Sequence, residues 1–422
     1  MKSEIIAVGS ELLTPFRQDT NSLYLTEKLL EIGVPVSFKT IVGDRQRDLV
    51  SAIRTALARA DIIAIMGGLG PTEDDLSREA VAEALNVTVR RDPKLIVELA
   101  ARFAARRMLM TDNNLKQADI VEGATVLPNP NGTAVGLWLD TQFETSITGK
   151  PTAHRKLVMM LPGPPSECKP LFANECIPRL REILPIRHIA KRVLKATMIP
   201  ESTADALLAP IYTTYKDVET TILAGNAEIQ LQLTCSKSTL EEARERVDSL
   251  AVRLEEALDK HLYASSDESL EQIVMYYLQL RQETLAVAES CTGGLLSQRL
   301  TSIGGASQSF LGGAVVYSNQ LKTDFCGVPP EMIERHGAVS AEVAESLAQG
   351  IRQRTGATIG VGITGIAGPT GGTEEKPVGL VYIAVSYGYK TESLECNFRG
   401  DRNRIRLWAS QQSLDLIRRR LM

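Results

Sequence analysis

Twice in this chain, short runs of aliphatic and β-branched residues alternate with longer stretches of helical periodicity, and that alternation leaves few folds open. SEIIAV is followed by helical spacing over Asn21 to Ile32, VPVSFKTIV by Gln46 to Ala60, and DIIAIMGG by a helix starting near Ser77. Strands joined by helices of this length predict a parallel, doubly wound sheet with both faces covered. An Arg-rich helix from Pro93 to about Met108, the turn PNPNGT and a strand at KLVMMLPG complete this part. The pattern restarts with the helix SLEQIVMYYLQLRQ and continues through TLAVAES, LLSQRL, SFLGGAVVYS, SAEVAESLAQGIRQR, TIGVGITG, GLVYIAVS and LECNFRG to a last helix after Asp401. Between the two parts, VLKATMI and EIQLQLTC alternate like half-exposed strands, and STLEEARERVDSLAVRLEEALDKHL reads as an amphipathic helix. The expected fold class is α/β: two doubly wound domains, residues 1–178 and 266–422, joined by a small α+β module, residues 179–265.

Composition narrows the function classes. With 47 Lys and Arg against 51 Asp and Glu, the net charge is −4, so no broad cationic surface tracks a nucleic acid, and such a partner is not expected. No apolar run approaches the roughly 20 residues that span a bilayer, so the expectation is a cytoplasmic protein with no membrane partner. The six cysteines form no C-x-x-C pair and the four histidines are dispersed, which fits neither a disulfide framework nor a zinc site.

The first candidate site follows the strand at Ile62 to Met66. Gly67, Gly68 and Gly70 let the backbone approach a ligand, and Thr72, Asp74 and Asp75 lead into a helix whose first N–H groups suit an anion. Two adjacent carboxylates repel a bare phosphate, so they point to a bridging divalent cation or a ribose; equally, they can cap the helix. Gly9 and Glu11 close the first strand and Asp44 follows the second, again at carboxyl ends of strands, where open parallel sheets bind ligands.

GSELL, IVGD, GGLGPTEDD, NPNGTAVG and LPGPPSE together resemble the molybdopterin-binding type of domain that opens the CinA (competence/damage-inducible) proteins. The resemblance implies a site for a phosphate-bearing metabolite, with Asp44 and Asp75 in the positions of the family's acids and as metal ligands. It further implies pyrophosphatase action on ADP-ribose, giving AMP and ribose 5-phosphate, with Mg²⁺ or a transition metal as cofactor and K⁺ a further candidate. It describes the middle segment as KH-like. That segment has a single glycine, Gly225, and lacks the G-x-x-G loop that clamps nucleic acid, so a spacer or dimerisation role is expected.

The second candidate site gathers at three strand ends. TLAVAE runs into Ser290, Cys291, Thr292, Gly293 and Gly294 before a helix, which places a serine beside helix-start N–H groups that could serve an oxyanion; an ordinary N-cap serine has the same pattern. No histidine is suitably placed, but GGAVVYS ends in Tyr317 and Lys322 follows, and a buried lysine can act as a general base. GITGIAGPTGG brings Thr364, Gly365 and Gly368. Arg402 and Arg406 share one helical face and could fork onto a phosphate.

AESCTGG, VVYSNQLK, HGAVS, ITGIAGPTGGTEEKPVG and FRGDR are similar to the nicotinamide mononucleotide (NMN) deamidase family, the carboxyl-terminal domain of CinA proteins. The resemblance implies hydrolysis of the NMN carboxamide to nicotinate mononucleotide and ammonia without a cofactor. Ser290 would be the nucleophile, Lys322 its base and Tyr317 an assistant, with Thr292, Gly293, Gly294, Thr364, Gly365, Gly368, Arg402 and Arg406 holding the substrate. The expectation is thus a two-site enzyme of pyridine nucleotide salvage acting on NMN and ADP-ribose, and a homodimer. The alternatives are a non-enzymatic binding protein of competence or DNA damage, and a molybdopterin-binding amino-terminal domain.

Overall fold

The computed structural model describes residues 1–145, 152–185, 187–225 and 227–422, and these divide into two compact units. The first comprises Met1–Ile189 with Ser236–Leu240, the second Ala190–Cys235 with Glu241–Met422.

The first unit is built on a six-stranded sheet in the order Val36–Val42, Ser3–Val8, Ile62–Met66, Thr152–Leu161, Gly136–Thr145, Thr125–Leu127. The first four strands are parallel, and the fifth runs antiparallel to both its neighbours. Alternate residues feed opposite faces, as the two-residue period of a strand requires. Ile6, Ile63, Ile65, Val158 and Met160 pack with Leu49, Ile53 and Leu57 of the helix Gln46–Arg59. Ile5, Ala7, Ile62, Ala64, Leu157 and Met159 pack with Leu25 and Leu29 of the helix Asn21–Glu31. Both faces are buried, which explains why the strands read as continuous apolar runs.

The second unit carries two sheets. A four-stranded one runs Val218–Gly225, Glu228–Lys237, His188–Thr197, Leu262–Ala264. A five-stranded one runs Phe310–Val315, Leu285–Glu289, Ile359–Gly365, Leu380–Tyr387, Lys390–Asn397, the first three parallel and the last two an antiparallel hairpin. Leu285, Val287, Val361 and Ile363 meet the helices Leu270–Leu280 and Arg402–Leu421 on one face, while Ala286 and Ala288 meet Val343, Leu347 and Ile351 of the helix Ala341–Thr355 on the other.

Both large sheets are therefore mixed, where the alternation predicts parallel ones. Gly136–Thr145 is absent from the sequence reading because its outer half is largely polar and partly exposed; Leu137, Trp138 and Leu139 are buried in the core and Phe143 packs against it half-buried. Among the described residues no helix is long and apolar enough to cross a membrane. None of the six cysteines is disulfide-bonded, and all are buried.

Candidate functional sites

In the first unit, strand order places Ser3–Val8 between its two sequence neighbours, so successive crossovers depart in opposite directions and open a crevice at the carboxyl ends. A cavity of about 350 Å³ occupies that place, and all nine residues expected there line it: Gly9, Glu11, Asp44, Gly67, Gly68, Gly70, Thr72, Asp74 and Asp75. Gly67 has φ +98°, and a Cβ there would lie 2.4 Å from the Val8 carbonyl oxygen, so the loop can cross the neighbouring strand end only with a bare backbone.

The two acids expected to bind metal first organise their own loops. Asp44 Oδ2 accepts the Ser10 N–H at 2.7 Å, and Asp75 Oδ2 accepts from the Thr72 N–H at 2.8 Å and hydroxyl at 2.6 Å. Among the described residues the second oxygen of each carboxylate has no hydrogen-bond partner, and no group of three or more His, Cys, Asp or Glu could by itself hold a metal ion. Two carboxylates in a crevice suit an ion such as Mg²⁺ that keeps waters and takes further oxygens from a phosphorylated ligand, not one caged by protein alone.

Three contributions escape sequence reasoning. Glu167, carried by LPGPPSE, joins Glu11, Asp44, Asp74 and Asp75 in the wall, while no lysine or arginine is among the lining residues described. Glu167 accepts from Asn129 Nδ2 at 2.7 Å, and Arg102 Nη1 donates to the carbonyls of Asn129 and Gly132, so the PNPNGT turn is fixed against the acid. Arg78 lies fully buried beneath the glycine loop and donates from Nη1 to the Leu69 carbonyl at 3.1 Å, whereas its Nε and Nη2 have no partner among the described residues. Burial pushes this guanidinium down to about 10. The spacing of SREAVAEAL reads as an ordinary amphipathic helix and gives no sign of the buried cation.

In the second unit the three strand ends lie side by side. Glu289 is in register with Val315 on one side and Ile363 on the other, and the Ser290 N–H donates to the Ile363 carbonyl at 2.9 Å. Ser290 is 7% exposed. Lys322 sits in the helix Asn319–Cys326, only 2% exposed, with Nζ donating to the Tyr317 carbonyl at 3.2 Å. Burial holds its pKa below the usual 10.5, and among the described residues no carboxylate pairs with it. That is how a lysine is kept ready to accept a proton. The neighbouring Cys291 is the poorer nucleophile, because burial pushes its thiol up to about 12.

The arginines expected to hold phosphate also brace the loops. Arg402 donates to the Gly368 carbonyl at 2.8 Å and to the Tyr317 hydroxyl at 3.0 Å; Arg406 grips the Thr292 carbonyl through Nε and Nη2 at 3.0 and 2.7 Å. Lys376 Nζ donates to the carbonyls of His336 and Val339, both at 2.7 Å, fastening the long glycine loop that includes Gly365. The hydroxyls of Thr364 and Thr292 face inward: the first donates to the Ala338 carbonyl at 2.7 Å, and the second is buried with no partner among the described residues.

One expectation is corrected. The amides at the start of the helix Leu295–Thr301 are not available to an oxyanion, because the fully buried Glu289 takes them. Its carboxylate accepts the N–H groups of Gly294 at 3.0 Å, Leu296 at 3.1 Å and Ser297 at 2.8 Å, and the Ser297 hydroxyl at 2.7 Å. Gly293 and Leu295 donate to the Ser290 and Thr292 carbonyls. Between residues 291 and 297, among the described hydrogen bonds, the amides of Cys291 and Thr292 alone reach no carbonyl or carboxylate. Both of those amides lie within reach of the Cys291 sulfur.

Residues 4–182 match the family model described as probable molybdopterin binding domain, 191–264 the damage-inducible protein CinA KH domain, and 267–421 the CinA C-terminal domain. A CinA-like protein of Acidobacterium capsulatum is 62% identical over 422 residues, covering 100% of each chain. The chain belongs to the CinA family. A second CinA-like protein, from Koribacter versatilis, is 56% identical with the same full coverage. The solved competence/damage inducible protein from Agrobacterium tumefaciens is 36% identical, spans 35% of this CinA chain and 92% of its own, and superposes with a TM-score of 0.34. In this CinA chain the KH-type module thus stands between the two α/β parts.

Proposed function

We propose that the carboxyl-terminal part hydrolyses the carboxamide of NMN to nicotinate mononucleotide and ammonia. The observation that supports this reading is a buried lysine of lowered pKa whose Nζ is tied to the end of one strand, while Ser290 stands at the end of the adjacent strand and is followed by two amides that no carbonyl or carboxylate takes. The Ser290 hydroxyl adds to the amide carbon as Lys322 takes its proton; the oxyanion rests on the Cys291 and Thr292 amides. Collapse expels ammonia with the proton returned from Lys322, and water then cleaves the acyl-serine. Arg402 and the glycine loop carry the 5′-phosphate.

Because Lys322 must be neutral to act, kcat/KM should rise with pH through a single ionisation below 10.5 and fall as the ammonium forms at lower pH. Stopped ammonia assays across pH check this, and a flat profile overturns the base assignment.

We further propose metal-dependent cleavage of ADP-ribose in the crevice of the first unit. All the charged residues lining this crevice are acids, which oppose a diphosphate, so a divalent cation held by Asp44, Asp75 and the ligand would neutralise charge there. Asp44→Asn and Asp75→Asn should each lower cleavage at fixed Mg²⁺ by about 10²-fold or more and weaken metal binding measured by calorimetry in the presence of ADP-ribose. Tight binding of a pterin with no cleavage of ADP-ribose would instead favour a molybdopterin-binding domain.

A further inference from the structure

A cavity of about 540 Å³ within the second unit, away from Ser290, lies between the four-stranded sheet and the first turns of the helix Arg402–Leu421. That volume is in the range of small-molecule sites. Its lining residues include Trp408, Ile199 and Leu407, the acids Glu201 and Glu228, and Arg404. Trp408 is held against Phe398 with ring centroids 6.3 Å apart. Glu228 accepts from the Tyr263 hydroxyl at 2.6 Å, which fixes its carboxylate. The Arg404 side chain lies over Gly400, where a Cβ would come within 2.5 Å of its Cδ, and among the described residues its guanidinium has no ion pair or hydrogen bond.

This lining is selective in charge. A cavity lined by one tryptophan and two acids favours a cationic aromatic ring, through both cation–π attraction and Coulomb complementarity. One unpaired guanidinium at the same cavity suits a phosphate. We infer that this cavity is a second nucleotide site, built for a zwitterion that joins a cationic pyridinium ring to a phosphate. The inference rests on the lining of this cavity, and the choice of a pyridinium nucleotide as probe rests on the proposed deamidase reading. Residues 404, 407 and 408 occupy one face of the helix, while 402 and 406 occupy another and brace the Ser290 loops, so the two sites share two helical turns.

The test is titration of the full-length Ser290→Ala chain, which cannot consume the probe, with NMN while tryptophan emission is followed. The chain has two tryptophans, Trp138 and Trp408, so the Trp408 signal is what Trp408→Phe removes. A saturable quench is expected, with a midpoint at least about tenfold weaker for nicotinate mononucleotide, whose added carboxylate meets Glu201 and Glu228. Arg404→Ala should shift the midpoint at least about tenfold and Arg402→Ala less than twofold. No saturable quench, or equal midpoints for NMN and AMP, overturns the site or its charge selection. Loss of the quench in Arg402→Ala but not in Arg404→Ala assigns the signal to the Ser290 site and also overturns it. Because emission reads binding and not turnover, a failure of the deamidase reading shows separately in the ammonia assay.

Discussion

Alanine at Ser290 is expected to lower kcat for ammonia release from NMN by about 10³-fold or more, and alanine at Lys322 to do nearly the same. The two groups act in one proton transfer, so the double variant should be little worse than either single one. Cys291 cannot take over the attack, since its thiol is buried and stays protonated at neutral pH. Arginine at 322 should not rescue, because a guanidinium cannot give up its proton in this range. The measurement is steady-state ammonia release by full-length variants whose thermal midpoints match the parent. Turnover within tenfold of the parent in Ser290→Ala would remove the serine from the chemistry, and rescue by Lys322→Arg would reduce Lys322 to a fixed charge.

Much of this arrangement was legible in the sequence because both units put their chemistry at strand ends, and strand ends are marked by glycine. An apolar run that stops at GGLG or ITGIAG locates the loop, and the sheet geometry then brings separate loops together. What stayed hidden were the groups that act through burial. Arg78 lies in a helix of ordinary spacing, and only the packing shows that its charge sits under the glycine loop. The antiparallel strands Gly136–Thr145 and Lys390–Asn397 were illegible as such for the complementary reason: periodicity reports which residues are covered, but not the direction of the neighbouring strand. Glu289 ends its strand as TLAVAE reads, but the run does not show that its carboxylate turns back to take the amides of the next helix.

Glu289 carries the second large prediction. Its carboxylate is fully buried, and among the described residues it has no cationic partner; three amides and one hydroxyl neutralise it. Alanine at this position leaves three amides without their acceptor, that of Leu296 buried and those of Gly294 and Ser297 half-buried, so at about 1–3 kcal/mol for each buried group left unpaired a loss of about 3 kcal/mol is expected. Glutamine is a graded case. Its carbonyl oxygen can keep Gly294 and Leu296, and its NH₂ can donate to the Ser297 hydroxyl, but the Ser297 amide then faces a donor. The expected cost is a single unpaired group, about 1–3 kcal/mol. Urea midpoints of the two variants should therefore separate clearly, with alanine the lower. The catalytic readout follows the same order, because the loop that Glu289 holds carries both Ser290 and the Cys291 and Thr292 amides. In folded Glu289→Gln chains kcat should fall by about tenfold or more while KM for NMN moves less, since the phosphate is held by loops that Glu289 does not touch. A Glu289→Ala chain as stable as the parent would show that the helix amides find other acceptors, and with that the claim that Cys291 and Thr292 are the two donors left for an oxyanion would fall.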